Sequence, residues 1–173
     1  MATTRTKQAI AKKENSEKAT PKPIVAKEID PNQYITVRSG FQGQLIYVSK
    51  KTGETFIWDD FGSEQEMELR ELRNAKNNCK DFFINNWFMF EDDWVVDYLG
   101  VGRYYKNALG IDELDGLFEK PPSEIKTIIE GLSDGQKKTV EYRARMMIAD
   151  KQIDSLKVIA VLEETLGVEL IEK

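Results

Sequence analysis

Leu45-Ile46-Tyr47-Val48-Ser49-Lys50-Lys51-Thr52-Gly53-Glu54-Thr55-Phe56-Ile57-Trp58 is the stretch on which the reading of the fold turns. Two short runs of β-branched and aromatic residues flank a polar link. Gly53 in that link suits a left-handed turn position, and the combination predicts a β-hairpin. Upstream, Tyr34-Ile35-Thr36-Val37-Arg38 alternates and predicts another strand, with Gly40 and Gly43 punctuating the connection. Three short strands in succession predict a small antiparallel meander, which needs a helix over one face.

Downstream, Ser63 followed by Glu66 has the spacing of a capping box. Leu69, Leu72, Ala75, Cys79, Phe82 and Phe83 then recur at helical intervals, so a helix over about 64–84 is predicted, its stripe covering the meander. The most aromatic run follows: Asn86-Trp87-Phe88-Met89-Phe90, then Glu91-Asp92-Asp93-Trp94. Neighbouring aromatics point in different directions, so part of this run is expected in the core and part on a surface that meets a partner. Asp92 or Asp93 is placed to cap a short helix bearing Trp94, Val95, Tyr98 and Leu99, ended by Gly100.

Beyond Ile111 the pattern is helical with clear stops. Asp112 is expected to cap a helix with Leu114, Leu117 and Phe118, halted at Pro121-Pro122. Ser123 opens the next. Ser133 with Gln136 is a second capping-box pair, before Val140, Ala144, Met147 and Ile148. Asp154 is expected to cap a last helix with Leu156, Ile159, Leu162 and Leu166, and Gly167 suits its end. Val168-Glu169-Leu170-Ile171 reads as a short strand or a segment packing back. The fold class is therefore α+β: a small antiparallel β-meander covered by a helix, followed by an α-helical C-terminal half. The organisation is an N-terminal arm over 1–30, a hairpin-and-helix unit with the aromatic segment over 31–110, and a helical bundle over 111–173 forming one body with it.

The arm differs in composition. Residues 1–27 hold seven Lys/Arg and two Asp/Glu, a net charge of +5, whereas the remainder carries −10. They contain no aromatic residue, and Pro21 and Pro23 favour an extended path. A basic arm before an acidic body suits an acidic partner, including nucleic acid or the body of a neighbouring copy.

The composition excludes much chemistry. The 173 residues include no histidine and one cysteine. Ser-His-Asp and Cys-His nucleophile pairs, imidazole metal sites, Cys clusters and an intrachain disulfide are thereby removed. The stretch has neither a membrane-spanning run nor a secretory signal, so a protein kept in a cytoplasm is expected. Glu91, Asp92, Asp93 and Asp97, with Asp59 and Asp60, are acidic enough to suggest Ca²⁺ or Mg²⁺. The spacing lacks a calcium-loop pattern, and helix capping explains them better. Gly100-Val101-Gly102 stands without the third glycine of a nucleotide loop. The helices at 134–149 and 154–166 resemble a helix-turn-helix in spacing, but the second carries Asp154, Glu163 and Glu164 where readout needs basic and polar residues. No cofactor or metal is expected, and no enzymatic activity.

Several blocks resemble a family of proteins encoded by tailed phages and prophages of Gram-positive bacteria: Val37-Arg38-Ser39-Gly40-Phe41, Lys51-Thr52-Gly53-Glu54, Trp58-Asp59-Asp60-Phe61-Gly62, Asn86-Trp87-Phe88-Met89-Phe90, Asp97-Tyr98-Leu99-Gly100-Val101 and Asp154-Ser155-Leu156-Lys157. The resemblance implies a virion or virion-assembly protein and brings no catalytic residues. The expectation is a non-enzymatic structural subunit of a tailed bacteriophage particle, located in the virion and, during assembly, in the host cytoplasm. Its partners would be copies of itself or a major capsid or tail protein, with nucleic acid reached through the arm only and no membrane. The candidate partner-binding residues are Arg5, Lys7, Lys12, Lys13 and Lys18 in the arm and Trp87, Phe88, Phe90 and Trp94 in the aromatic run. The alternative is a phage-encoded regulatory or DNA-associated protein using the arm and the basic helix face of Lys137, Lys138, Arg143 and Arg145.

Overall fold

The structure, a computed structural model, describes residues 29–171. It is α+β, with antiparallel strands in the first part and mostly helices after Ile111. The hairpin forms where its sequence places it: β2 (Leu45–Val48) pairs antiparallel with β3 (Thr55–Trp58), Leu45 opposite Trp58 and Tyr47 opposite Phe56. Gly53 supplies the left-handed turn residue at φ 76°.

The predicted three-strand meander does not form. β1 (Tyr34–Ser39) leaves the hairpin as a separate two-stranded sheet and becomes the centre of a three-stranded one, ordered β4-β1-β5. β4 is Glu64–Glu68 and β5 is Phe88–Met89. The predicted helix over 64–84 is thus corrected at its start. β1 has backbone groups that need an edge partner, and Glu64–Glu68 meets that need with Met67 facing Ile35. Tertiary pairing outweighs the local helical preference of Glu64-Gln65-Glu66. Ser63 caps no helix there; its hydroxyl accepts from Asp60 N–H in a turn. The helix itself begins later, as α1 (Leu69–Asn78), and stops at Cys79 before a single turn, α2 (Asp81–Ile84).

Asn86 then adopts a positive φ of 54° and is fully buried. Its reversal directs Trp87 and Phe88 back onto β1, where Gly40 N–H donates to Trp87 O at 2.8 Å. Close approach explains the glycine: a Cβ at Gly40 would lie 2.1 Å from Asn86 O. α3 (Asp93–Leu99) follows with Asp92 at its N-cap, though no side-chain bond is made, and Gly100 ends it in the left-handed conformation. α4 is the short turn Gly102–Tyr105.

The helical part holds α5 (Pro122–Gly131), α6 (Asp134–Ala149) and α7 (Leu156–Leu166). In place of the helix expected from Asp112 there are two 3₁₀ turns, Ile111–Glu113 and Asp115–Glu119. Ser133 caps α6 as predicted, its hydroxyl accepting from Gln136 N–H. The Gln136 side chain goes elsewhere, closing a two-bond pair with the Leu109 backbone. Ser155, not Asp154, occupies the N-cap of α7. Val168–Ile171 forms no strand; the Glu163 carboxylate accepts from Leu170 and Ile171 N–H.

Two apolar clusters result. The first is aromatic, with Tyr47, Trp58, Phe83 and Phe88 buried beside Leu69 and Leu72. The second is aliphatic, built on Leu117, Ile125, Ile129, Val140 and Leu162. The seam between them is narrow. A Cβ at Gly135 on α6 would sit 2.3 Å from Asn85 O, and Thr139 donates to Gly40 O at 3.0 Å. The Asn85-Asn86 corner is therefore clasped between glycines from both parts.

Candidate functional site

The aromatic run divides between core and surface. Phe88 is fully buried, ringed by Tyr47, Trp58, Phe82 and Phe83 at centroid distances of 4.8–5.7 Å. This corrects its assignment to a partner-binding surface: as the first residue of β5 it is drawn inward by its pairing opposite Ser39. Trp87 is half-buried, edge-on to Phe41 and Phe82. Phe90 is half-buried, stacked near Phe83 and packed against Tyr105. Trp94 is exposed on α3, with Tyr98 beside it. Of the four aromatic candidates, Trp94 alone is exposed, at 38%. The arm candidates Arg5, Lys7, Lys12, Lys13 and Lys18 lie outside the described residues.

A surface that the sequence reading passed over is the outer face of the hairpin. Ile46 and Ile57 stand opposite each other at 49% and 42% exposure, with Val48 at 45%. The inner residues of the same strands, Leu45, Tyr47 and Trp58, are buried. The signal was present: Leu45-Ile46-Tyr47-Val48 is apolar on both faces, a pattern of strands covered on both sides. On the inner side, Tyr47 Oη donates to Glu71 Oε1 at 2.6 Å, and Asn74 donates to the same oxygen. Burial, then this bond to a carboxylate, pushes the Tyr47 phenol far above its ordinary range.

A groove of about 830 Å³ lies between β1, the segment after β5, α3 and the first 3₁₀ turn. Arg38 lies in it. The outward face of β1 carries this guanidinium, which is engaged by carboxylates from three directions: Asp112 Oδ2 at 3.1 Å, Glu64 at 3.5 Å and Glu91 at 3.8 Å. The hydrogen bonds to Asp112 hold the guanidinium charged more firmly still. Asp93, Asp97 and Glu113 complete an acidic rim, and Lys106 is the other cation of the lining. Between the charges runs an apolar floor of Met89, Phe90, Val96, Ala108 and Ile111. Asp112, expected as a helix cap, thus serves the groove, a contact across 74 positions.

The two arginines of the basic face of α6 are answered by carboxylates. Arg143 makes a two-pronged contact with Asp115 at 2.7 and 2.6 Å, and Arg145 pairs with Glu141 at 2.9 Å. Among the described residues no cluster of carboxylate or thiol groups is arranged to hold a metal ion. No described helix is long and apolar enough to cross a membrane.

No family model, curated protein or solved structure matches the chain. The arrangement on its own offers two docking features of opposite character: an apolar sheet face and a groove with an acidic rim and apolar floor.

Proposed function

We propose that the chain is a non-enzymatic structural subunit of a tailed bacteriophage particle, binding neighbouring virion proteins. The observation that carries the binding part is the exposed outer face of the hairpin. Ile46, Val48 and Ile57 form a contiguous apolar patch on a rigid two-stranded element whose other face is locked into the aromatic core. Such a patch on a small protein marks a protein-facing surface. Trp94 on α3 adds an exposed aromatic of the kind that anchors interfaces. The particle assignment draws on the sequence resemblance in blocks such as Trp58-Asp59-Asp60-Phe61-Gly62. The subunit's partners are then other copies or a major capsid or tail protein.

Mass spectrometry of purified particles from the phage or prophage that encodes the chain tests this reading. Recovery in stoichiometric amount supports it, and recovery below one copy per particle sinks it. Ile46→Asp with Ile57→Asp should leave the far-ultraviolet circular dichroism unchanged and remove the chain from the particles. The DNA-associated alternative rests on the N-terminal segment and on Lys137 and Lys138 of α6, since Arg143 and Arg145 are held by Asp115 and Glu141. It requires DNA binding that falls steeply with salt.

A further inference from the structure

We infer that the groove around Arg38 is the docking site for this chain's own segment Arg5–Lys13. The groove and the segment are complementary in two independent respects. In charge, the lining sets Glu91, Asp93, Asp97, Asp112 and Glu113 against Arg38 and Lys106. Arg38 already pairs with Asp112, Glu64 and Glu91, although its buried Nε makes no hydrogen bond, and the five lining carboxylates outnumber the two cations, leaving the rim net negative. Residues 5–13 read Arg-Thr-Lys-Gln-Ala-Ile-Ala-Lys-Lys, four cations with no anion, the densest positive run in the chain.

In shape and polarity, the groove is not a bare acidic patch. Its floor of Met89, Phe90, Val96, Ala108 and Ile111 gives apolar ground on which lysine stems lie while their ammonium groups reach the carboxylates. Ile10, flanked by Ala9 and Ala11, is the one aliphatic anchor of the segment, and small neighbours let it approach the floor. A volume of about 830 Å³ is ample for a few residues of extended peptide.

The chain's connectivity permits the contact within one molecule. The described chain enters beside the start of α1, where Leu69 and Arg70 N–H donate to Gln33 O and Pro31 O. Arg38 lies four steps along β1 from Tyr34, about 13 Å at the strand rise. From Lys13 to Ile29 the chain can span about 50 Å. Covalent linkage makes the encounter intramolecular, so in dilute solution the chain's own groove is filled ahead of a neighbour's. This inference stands on groove and charge and does not depend on the particle reading; the two are tested by different experiments and can fail separately.

Zero-length carbodiimide cross-linking of the full chain, in an equimolar mixture of ¹⁴N and ¹⁵N protein, reads the contact directly. We expect Lys7, Lys12 and Lys13 joined to Glu91, Asp93, Asp97 or Glu113, in pairs of a single isotope. Their yield should fall at least about fivefold in 0.5 M NaCl, because the Debye length drops to a few ångströms. Asp93→Asn with Asp97→Asn should lower the yield at the remaining Glu91 and Glu113 by a similar factor. Both positions are exposed and carry no side-chain contact that packing depends on, and circular dichroism verifies that the variant is folded. Groove cross-links of which about half join different isotopes, the random share for contacts between molecules, assign the groove to a second copy and overturn the inference. So do cross-links spread equally over remote acids such as Glu130 and Glu164, or a groove yield indifferent to both salt and substitution.

Discussion

The two halves of the described chain solve the same problem with different materials. Residues up to Tyr105 bury Tyr47, Trp58, Phe83 and Phe88 in an aromatic cluster whose rings meet edge-on or tilted. Residues from Leu114 bury leucine, isoleucine and valine, with Phe118 as the aromatic among their buried members. Rings have preferred mutual geometries and few torsions, so the first core is specified by orientation. Aliphatic side chains fill volume and tolerate rearrangement, so the second is specified by helix faces and their ends. The difference teaches why strands with almost no sheet of their own hold together: short β2 and β3 are pinned by rings, and by Trp58 Nε1 donating to Val37 O at 2.8 Å.

The largest effect should come from breaking the ring cluster. Phe88→Ala is expected to cost about 3–5 kcal/mol in urea unfolding followed by circular dichroism. Leu162→Ala in the other core should cost about 2–5 kcal/mol, with more of the loss recovered by helix movement. A result in which Leu162→Ala costs clearly more than Phe88→Ala would reverse the contrast.

The seam between halves is the next target. Gly40→Ala and Gly135→Ala each force a methyl group against the Asn85-Asn86 backbone and are expected to cost about 1–3 kcal/mol. Hydrogen exchange should then show the helical half opening apart from the aromatic half. A single unbroken exchange limit across both halves would mean the corner is not their coupling point.

Tyr47→Phe should cost about 1–3 kcal/mol, because Glu71 keeps its buried carboxylate but loses a partner. Alkali sharpens the same point. The phenols of Tyr47 and Tyr105 are raised by burial, Tyr47 further by Glu71. Their contribution is complete below the unfolded tyrosine value of about 10 and declines as pH rises above it. Both lie in the aromatic half, so alkaline unfolding should begin there, and in Tyr47→Phe its onset should move to higher pH.

The smallest effect belongs to the helical half. The Arg143 hydrogen bonds hold the Asp115 carboxyl below the usual range, so this pair stabilises above about pH 4 and is lost as pH falls further. Both groups are partly exposed, so Arg143→Ala should cost no more than about 1 kcal/mol.

Local chemistry made the hairpin, α6 and the end of α3 readable, because Gly53, Ser133 and Gly100 act on their immediate neighbours. β4 was hidden for the same reason: Ser63 and Glu66 imitate a helix start, and only the distant β1 makes Glu64–Glu68 a strand. The groove was less accessible still. Arg38 and Asp112 are ordinary polar residues in sequence, and nothing local announces that the topology joins them. The apolar outer face of the hairpin was written in Ile46, Val48 and Ile57, but a two-faced strand reads equally as interior.

All three tryptophans, Trp58, Trp87 and Trp94, fall in the aromatic half. Intrinsic emission excited at the red edge therefore watches that half alone, with the sealed indole of Trp58 contributing blue light and the exposed one of Trp94 contributing red. The protein carries its own optical tag on one side of the Asn85-Asn86 corner and is dark on the other. A quencher such as iodide, reaching Trp94 first, would register a partner settling on α3 without any dye being attached.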